Sequence, residues 1–531
     1  MSGPDGGREH VPFRVLVGVT GHRTLRSPEQ VAVRIDEALA RIRSLVPVRP
    51  ETPVVLDALS PIAEGADRLV TQRVLATPGA QLEVVLPLPV QSYLQDFATE
   101  DLRDEFARLL LRSRRTIDLP PAPTREAAYE RVGRYVVDEC DVLVAVWDGE
   151  PAAGRGGTAE IVEYARRTRC PLVIVPSDGA GEIAFEPGAN INLAAFERLH
   201  AFNTEPLNVA AVARMEQRER DALVTPAGRA SIAEPAVRSC TDTLLPPFVR
   251  ADALAVRYQR RYYRAGTALY LFASAAVAAA AFQALFAPAR HALAWVETAL
   301  VAGALALAIA ITRGRWHAKW IDYRLLAERL RSGIFLAVAG VDAARLTSPR
   351  HVGQSVSPRD WITSAFDAVW ASRPVRTGAP AAVGQLRDLL LSAWLRPQIR
   401  YQDRTSVRYV GRHRWLSLAG IVLFSLTFLA TVSHVVPGVP ESAHPYFWYA
   451  AIVLPAFAAA VTAIRTHHEC RRNADRAAAM ARKLTELAAK MEVVRDGDLL
   501  LQLAQETEQT MLSENEEWRA VVRFSEIKAP V

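Results

Sequence analysis

Residues 140–166 combine a strand, a glycine-rich loop and the start of a helix, an arrangement suited to binding an anion. The apolar run 142–147 is typical of a buried parallel strand, and a helix is predicted to begin at Thr158. Backbone N–H groups at a helix N-terminus point outward, and the helix dipole favours negative charge. The residues expected to contact a phosphate or similar anion are Gly154, Arg155, Gly156, Gly157 and Thr158, and Glu160 in the first turn of the helix is a further ligand-binding candidate. The alternative is a tight strand–helix turn that binds nothing.

Further polar residues stand directly after other predicted strands. Strand-like and helix-like segments alternate over residues 13–180, which predicts a doubly wound parallel sheet. In such sheets a ligand lies outside the carboxyl ends of the strands, so the loops there are expected to converge. The candidates in these loops are Gly21, His22 and Arg23 after the first strand, Ser60, Glu64, Gly65 and Asp67 after the second, and Asp148 after the fifth.

Each of these candidates also has a purely structural interpretation. His22, Arg23, Ser60 and Glu64 could cap the helices that follow them. Gly21 could serve only a tight turn, and Asp67 could pair locally with Arg68. Asp148 could orient a ribose hydroxyl or cap its own loop. These alternatives stay open at the level of the sequence.

Four motifs in this region resemble those of the SLOG domain, a Rossmann-like superfamily that includes the DprA and LOG proteins. They are Thr20-Gly-His-Arg23, Ser60-Pro-Ile-Ala-Glu-Gly-Ala-Asp-Arg68, Cys140-Asp-Val-Leu-Val-Ala-Val-Trp-Asp-Gly149 and Gly154-Arg-Gly-Gly-Thr-Ala-Glu160. The resemblance covers roughly residues 13–180 and implies a nucleotide-binding domain whose site includes Glu64, Gly65 and Asp67.

The last motif departs from that of LOG-type nucleotide hydrolases. Ala153, Gly154 and Arg155 stand where that family has Pro-Gly-Gly, and its final glutamate falls on Ile161. Glu160 matches only the neighbouring acidic position. Because the resemblance links the missing glutamate to hydrolysis, it favours ligand binding over catalysis, and no catalytic residue is assigned.

Composition places the chain in the class of multidomain membrane proteins. It has 531 residues and a formal net charge of +6, and its mean hydropathy of +0.06 is high for a soluble protein. The four cysteines lie far apart, which is typical of reduced thiols rather than a disulfide framework or a zinc site. His467 and His468 are adjacent, so they diverge by about 100° on a helix, and no metal or cofactor is predicted.

Four apolar runs of about 20 residues are long enough to cross a bilayer: 266–286, 293–312, 415–435 and 446–464. Lys and Arg crowd the flanks of these runs, whereas the loops 287–292 and 436–445 contain only Arg290. The predicted fold class is therefore a Rossmann-like, doubly wound α/β domain followed by an all-α membrane region of four transmembrane helices in two hairpins. The positive-inside rule predicts a multi-pass protein of the cell membrane with both termini in the cytoplasm.

The expected organisation has seven segments. They are a disordered N-terminus (1–12), the SLOG-like domain (13–180), an irregular extension and linker (181–250), the first hairpin with helical flanks (251–335), a cytosolic helical segment (336–399), the second hairpin (400–476) and cytosolic helices (477–531). Arg-Tyr-Gln precedes each hairpin, at 257–259 and 400–402, which suggests a degenerate repeat. The membrane part resembles the SLATT domain, a transmembrane partner of SLOG domains in predicted bacterial defence systems.

The combined expectation is a membrane-anchored sensor and effector. Its cytosolic domain would bind a nucleotide or nucleotide-derived signal and control the transmembrane helices, with pore formation in bacterial defence as the implied output. Expected partners are this ligand, the lipid bilayer and further copies of the chain, with no specific nucleic acid. Two alternatives are a membrane-tethered nucleotide N-glycosidase of the LOG type and a transporter or constitutive channel.

Overall fold

The computed structural model describes residues 10–151, 157–188, 191–232, 234–340, 360–373, 381–436 and 439–525. The chain forms two compact units. The N-terminal unit comprises Met1–Pro206 and Val341–Val375, and the C-terminal unit comprises Leu207–Gly340 and Arg376–Val531. Most of the predicted disordered N-terminus, residues 1–9, lies outside the described residues.

Seven strands and seventeen α-helices make up the described part of the chain. The strands are β1 (Phe13–Gly21), β2 (Val54–Ser60), β3 (Leu82–Leu86), β4 (Arg115–Asp118), β5 (Val142–Trp147), β6 (Leu172–Pro176) and β7 (Ala184–Glu186). The helices are α1 (Pro28–Arg43), α2 (Ala66–Leu75), α3 (Val90–Tyr93), α4 (Glu100–Arg112), α5 (Arg125–Glu139), α6 (Thr158–Thr168), α7 (Leu193–Thr204), α8 (Val209–Arg229), α9 (Glu234–Phe286), α10 (Ala292–Gly314), α11 (Trp316–Ala339), α12 (Trp361–Ala371), α13 (Val383–Leu389), α14 (Arg396–Val432), α15 (His444–His467), α16 (Cys470–Val493) and α17 (Gly497–Ser525). Short 3-10 turns cover Leu94–Asp96 and Glu441–Ala443, and a π-helix covers Leu390–Leu395.

The sheet of the N-terminal unit has the strand order β4-β3-β2-β1-β5-β6-β7. All neighbouring strands are parallel except β7, which pairs antiparallel with β6. Helix α1 packs on α2, whereas α5 packs on α6, so the helices that follow β1 and β5 cover opposite faces. This is the doubly wound arrangement that the alternating segments predicted.

Two strands were missed by the sequence prediction because their residue patterns are weak. β4 has four residues, and its side chains alternate between half-buried and exposed. β7 has only three residues and no fully buried side chain. Apolar periodicity identifies buried strands, so short strands at the edge of a sheet leave little trace in a sequence.

The segment predicted to be an irregular linker is largely helical. It contains β7, α7, α8 and the start of α9. Helix α9 continues through Pro246 and Pro247 and across the boundary expected at residue 250. Leu244, Leu245 and Phe248 beside these prolines are buried. Tertiary packing of this apolar face therefore outweighs the helix-breaking tendency of proline.

Helix α12 belongs to the N-terminal unit. From the sequence we expected it in a separate cytosolic segment, because it lies between the two hairpins. It packs against α7 and β1, and the rings of Trp361 and Phe202 lie 6.0 Å apart. Its buried face includes Ile362 and Phe366. The chain thus leaves the N-terminal unit after residue 206 and returns to it between the two hairpins.

Four helices of the C-terminal unit are long and apolar enough to cross a membrane, as predicted. The apolar spans lie in α9, α10, α14 and α15. α10 packs on α9, and α15 packs on both α9 and α14. Between the two hairpins, the Ser274 hydroxyl donates to the Ala456 carbonyl at 2.9 Å. The apolar face of α16, which includes Met480, Leu484 and Met491, is buried within the unit.

Candidate functional site

The candidate site lies at the carboxyl end of the sheet, between β1 and β5. These two strands are neighbours, and the helices that follow them cover opposite faces. A crevice forms at such a switch point, because the two connections leave the sheet in opposite directions. The topology therefore brings the candidate loops after β1, β2 and β5 to one edge.

The loops after β1 and β5 are joined directly. Gly21 is in register with Val146, and the His22 backbone N–H donates to the Val146 carbonyl at 3.2 Å. The His22 Nε2 atom lies 3.1 Å from a carboxylate oxygen of Asp148. A Cβ on Gly21 would fall 2.5 Å from the Cβ of Ala66 and 2.9 Å from the Val146 carbonyl oxygen. Glycine is therefore required where these segments meet.

The loop after β2 approaches the loop after β1 through Gly65. Gly65 has φ +80° and precedes α2, and the Ala66 N–H donates to the His22 carbonyl at 3.0 Å. A Cβ on Gly65 would fall 2.6 Å from the His22 carbonyl oxygen and closer still to the carbonyl of Arg23. This close backbone approach, together with the positive φ, explains the glycine.

Ser60 and Asp67 are buried and shape their own loop. The Ser60 hydroxyl accepts the Ile62 N–H at 2.9 Å, beside a positive φ of 49° at Ile62. The Asp67 carboxyl accepts the Ala63 N–H, and its burial raises its pKa to about 7, although that hydrogen bond and the charges of Arg23 and Arg68 oppose the shift. Both residues therefore hold the loop after β2 in place from its buried side.

The raised pKa of Asp67 predicts a pH-dependent stability. The unfolded carboxyl ionises near its ordinary pKa of 3.8, and the folded one near 7, so the free energy of unfolding falls as the pH rises through this window. Asp67→Asn keeps an acceptor for Ala63 and removes the ionisation. We expect the variant to gain about 2–3 kcal/mol over wild type between pH 5 and pH 8. Hydrogen exchange of α2 amides in the full chain measures this gain, and equal pH dependence in both proteins would contradict it.

Asp148 caps its own turn and also contacts His22. Its carboxylate accepts the Glu150 N–H at 3.0 Å, and Gly149 between them has φ +86°. The Glu150 hydrogen bond is the main reason why the pKa of Asp148 lies below its ordinary value, with a smaller effect from His22. Asp148 is therefore ionised and partly exposed at the edge of the site.

Two helices that begin at this edge have no side-chain cap among the residues that the structure describes. Gly65 precedes α2 and Gly157 precedes α6, whereas Thr99 and Thr124 cap α4 and α5 with their side chains. In α6 the first intrahelical bonds are donated by Glu160 and Ile161 to Gly157. The preceding N–H groups, including that of Thr158, are therefore open to a ligand. Three predicted site residues, Gly154, Arg155 and Gly156, lie outside the described residues.

The last two residues of the predicted α6 motif region, Glu160 and Ile161, both contact helix α5. Glu160 lies 3.8 Å from Arg134 of α5 in an ion pair. Ile161 is buried in the core, and a Cβ on Gly133 would fall 2.6 Å from its Cγ1 atom. A carboxylate at position 161 would thus lie in a tightly packed apolar core. Burial of an unpaired charge there would carry a large desolvation cost.

Several residues near the site were not predicted, because helices distant in sequence contribute them. The Arg23 guanidinium lies 5.3 Å from the centre of the Tyr129 ring. The Tyr129 hydroxyl donates to Asp96, which also pairs with Arg125. Within the described residues the half-buried Glu64 has no hydrogen-bond or ion-pair partner. Single tyrosines and arginines in helical segments carry no sequence signal that identifies them as site residues.

No metal centre accompanies these loops in the part of the chain that the structure describes, where no three His, Cys, Asp or Glu side chains converge as ligands would. The site is instead built from backbone N–H groups, an arginine, two carboxylates and an aromatic ring. Comparison with protein-family models and with curated proteins finds no match to this chain.

Proposed function

We propose that the N-terminal unit binds a nucleotide or nucleotide-derived signal at its switch-point loops, defined as residues 21–23, 60–65 and 148–158. The observation that carries this proposal is the direct bonding of the loops after β1, β2 and β5 beside two uncapped helix N-termini. Anionic phosphate is favoured where such N–H groups converge. The resemblance of these loops to SLOG motifs supports the same ligand class.

Individual residues have distinct roles in this proposal. The N–H groups at Gly157 and Thr158 bind phosphate, with Arg155 and Arg23 as charged partners. The carboxylate of Glu64 accepts hydrogen bonds from ribose hydroxyls, as a carboxylate does in dinucleotide-binding folds. Asp67 stays beneath the loop and positions it. The buried Ile161 argues against the alternative of an N-glycosidase.

Arg23→Ala is expected to weaken nucleotide binding by about ten- to a hundredfold, the effect of removing a charged hydrogen-bond donor. Arg23 is exposed at the loop edge, so its removal leaves the core intact. Arg108→Ala on the exposed side of α4 is the matched control. Isothermal titration of both variants provides the measurement. Equal affinities in the two variants would argue against the assigned role of Arg23.

The proposed location is the cell membrane, with the N-terminal unit and both termini in the cytoplasm. Arginines crowd the four flanks of the spans that would face the cytoplasm, whereas the two hairpin loops contain only Arg290. The positive-inside rule gives this orientation. The proposal extends to homo-oligomeric assembly through the C-terminal helices and to a pore-forming output in bacterial defence, the setting that the SLATT resemblance implies.

Signal transfer in this proposal uses the chain itself. The polypeptide crosses between the two units after residues 206, 340 and 375. α12, which lies between the latter two crossings, packs on β1, and β1 leads into residues 21–23. A ligand that shifts the end of β1 therefore also shifts α12. The chain on either side of α12 leads to one of the two transmembrane hairpins.

The decisive experiment titrates the full chain in lipid nanodiscs with nucleoside mono-, di- and triphosphates, cyclic nucleotides and ADP-ribose. A fragment ending near residue 250 is unsuitable, because it lacks α12 and ends within α9. We expect saturable binding of at least one ligand, lost on Arg23→Ala. Absence of binding across the whole panel would overturn the proposal.

A further inference from the structure

The C-terminal unit repeats one arrangement of three helices. In each half, a helix containing Arg-Tyr-Gln enters the first span, and a second span returns. The second span ends at a single residue with positive φ, Arg315 in one half and Glu469 in the other, and a new helix begins at once. This third helix packs along the first, α11 on α9 and α16 on α14.

A cavity of about 200 Å³, lined by both polar and apolar side chains, lies between the two halves. Its walls come from α9 and α11 of the first half, α14 and α16 of the second half, and α17. Gln259 and Gln402, the final residues of the two Arg-Tyr-Gln motifs, both line it. The repeated motif therefore has a structural counterpart, because each half contributes the same side chain to one cavity.

Arg324 and Glu328, two charged residues of the cavity wall, belong to one network of ion pairs. Glu328 pairs with both Arg324 and Arg331, and Arg324 also lies 3.1 Å from Asp252. Two carboxylates thus face two guanidinium groups in one network, which leaves its net charge at zero. Such a network favours neither an anion nor a cation. Arg476, the third charged residue of the lining, takes part in an interaction of its own.

Uncharged hydrogen-bonding groups make up much of the remaining wall. The side-chain amides of Gln259, Gln398 and Gln402 have no hydrogen-bond partner within the described residues. Tyr409 and Trp320 add aromatic rings to the lining. Half-buried amides without partners need water or a ligand to satisfy them, and each offers a donor and an acceptor side by side.

We infer that this cavity is a second ligand site, for an uncharged heterocycle of the nucleobase or nucleoside class. Such rings present adjacent donors and acceptors, which a glutamine amide can pair with in two hydrogen bonds, and their faces stack on aromatic side chains. The cavity is below the range of about 300–1,000 Å³ of drug-sized sites, which limits the ligand to one small ring system. This site is independent of the switch-point loops.

The test titrates the full chain in nanodiscs with adenine, guanine, cytosine, uracil and their nucleosides, none of which carries phosphate. We expect saturable binding of at least one compound at one site per chain. Gln259→Met and Gln402→Met, which keep side-chain length and helix propensity, should each weaken it about tenfold or more. Gln502→Met on the exposed side of α17 is the matched control and should leave affinity unchanged.

Two outcomes would overturn the inference. One is the absence of binding by every one of these compounds. The other is equal affinity in Gln402→Met and Gln502→Met when the melting temperatures show that both variants are folded. Arg23→Ala separates this site from the nucleotide site. This variant should leave nucleoside affinity unchanged and weaken nucleotide binding. The nucleoside titration therefore tests the cavity, and the nucleotide titration tests the switch-point loops.

Discussion

Gly65→Ala is expected to destabilise the N-terminal unit by about 3 kcal/mol or more and to abolish ligand binding at the switch-point loops. Gly65 has φ +80°, a conformation that L residues rarely adopt, and a Cβ there would overlap the backbone of His22 and Arg23. Backbone atoms cannot move aside as a flexible side chain can. The loops after β1 and β2 would therefore move apart, and the hydrogen bond from the Ala66 N–H to the His22 carbonyl would be lost.

Gly79→Ala is the matched control for this prediction. Gly79 has the same φ of +80°, but nothing lies within 4 Å of the Cβ that alanine would add. The control carries only the backbone penalty, about 1–2 kcal/mol. Thermal melting and nucleotide titration of the two full-length variants measure the difference. Equal losses in both would show that the approach of Gly65 to the β1 loop has no energetic importance.

Glu328→Gln is expected to destabilise the C-terminal unit by about 3–5 kcal/mol. Glu328 is 6% exposed and pairs with Arg324 and Arg331, the latter at 3.1 Å. The neutral amide would leave Arg324 with Asp252 as its remaining carboxylate and would remove the carboxylate that pairs with Arg331. A buried charge without a partner is far more costly than the loss of a surface ion pair.

Glu492→Gln provides the comparison for Glu328. Glu492 pairs with Arg396 at 2.8 Å, but both side chains are about half exposed. Water and salt screen this pair, so its loss should cost less than about 1 kcal/mol. Melting of the two variants in the same detergent gives the contrast. Similar melting temperatures for both would mean that the Glu328 network contributes no more than a surface pair.

The alternation of apolar strands with helices was sufficient to predict the doubly wound sheet, because buried parallel strands need continuous apolar runs. The convergence of the loops at Gly21, Gly65 and Asp148 follows from the same rule, since parallel strands end at one edge. Their bonding to one another confirms that expectation. The four helices that are long and apolar enough to cross a membrane could also be predicted, because length and composition alone identify them.

Features that depend on tertiary packing could not be predicted. α9 passes through Pro246 and Pro247 because its apolar neighbours are buried, and α12 joins the N-terminal unit across a large sequence separation. Asp67 resembled an exposed site residue but is buried beneath its loop. Burial and long-range contacts of this kind leave no periodic pattern in a sequence.

The proposed binding of a nucleotide at the switch-point loops is tested most directly by hydrogen exchange of the full chain in nanodiscs, with and without saturating nucleotide. We expect protection of amides in residues 21–23, 60–68 and 157–161, and we expect Arg23→Ala to reduce that protection at equal ligand concentration. Unchanged exchange in all three segments with every nucleotide, or protection confined to other parts of the chain, would contradict it.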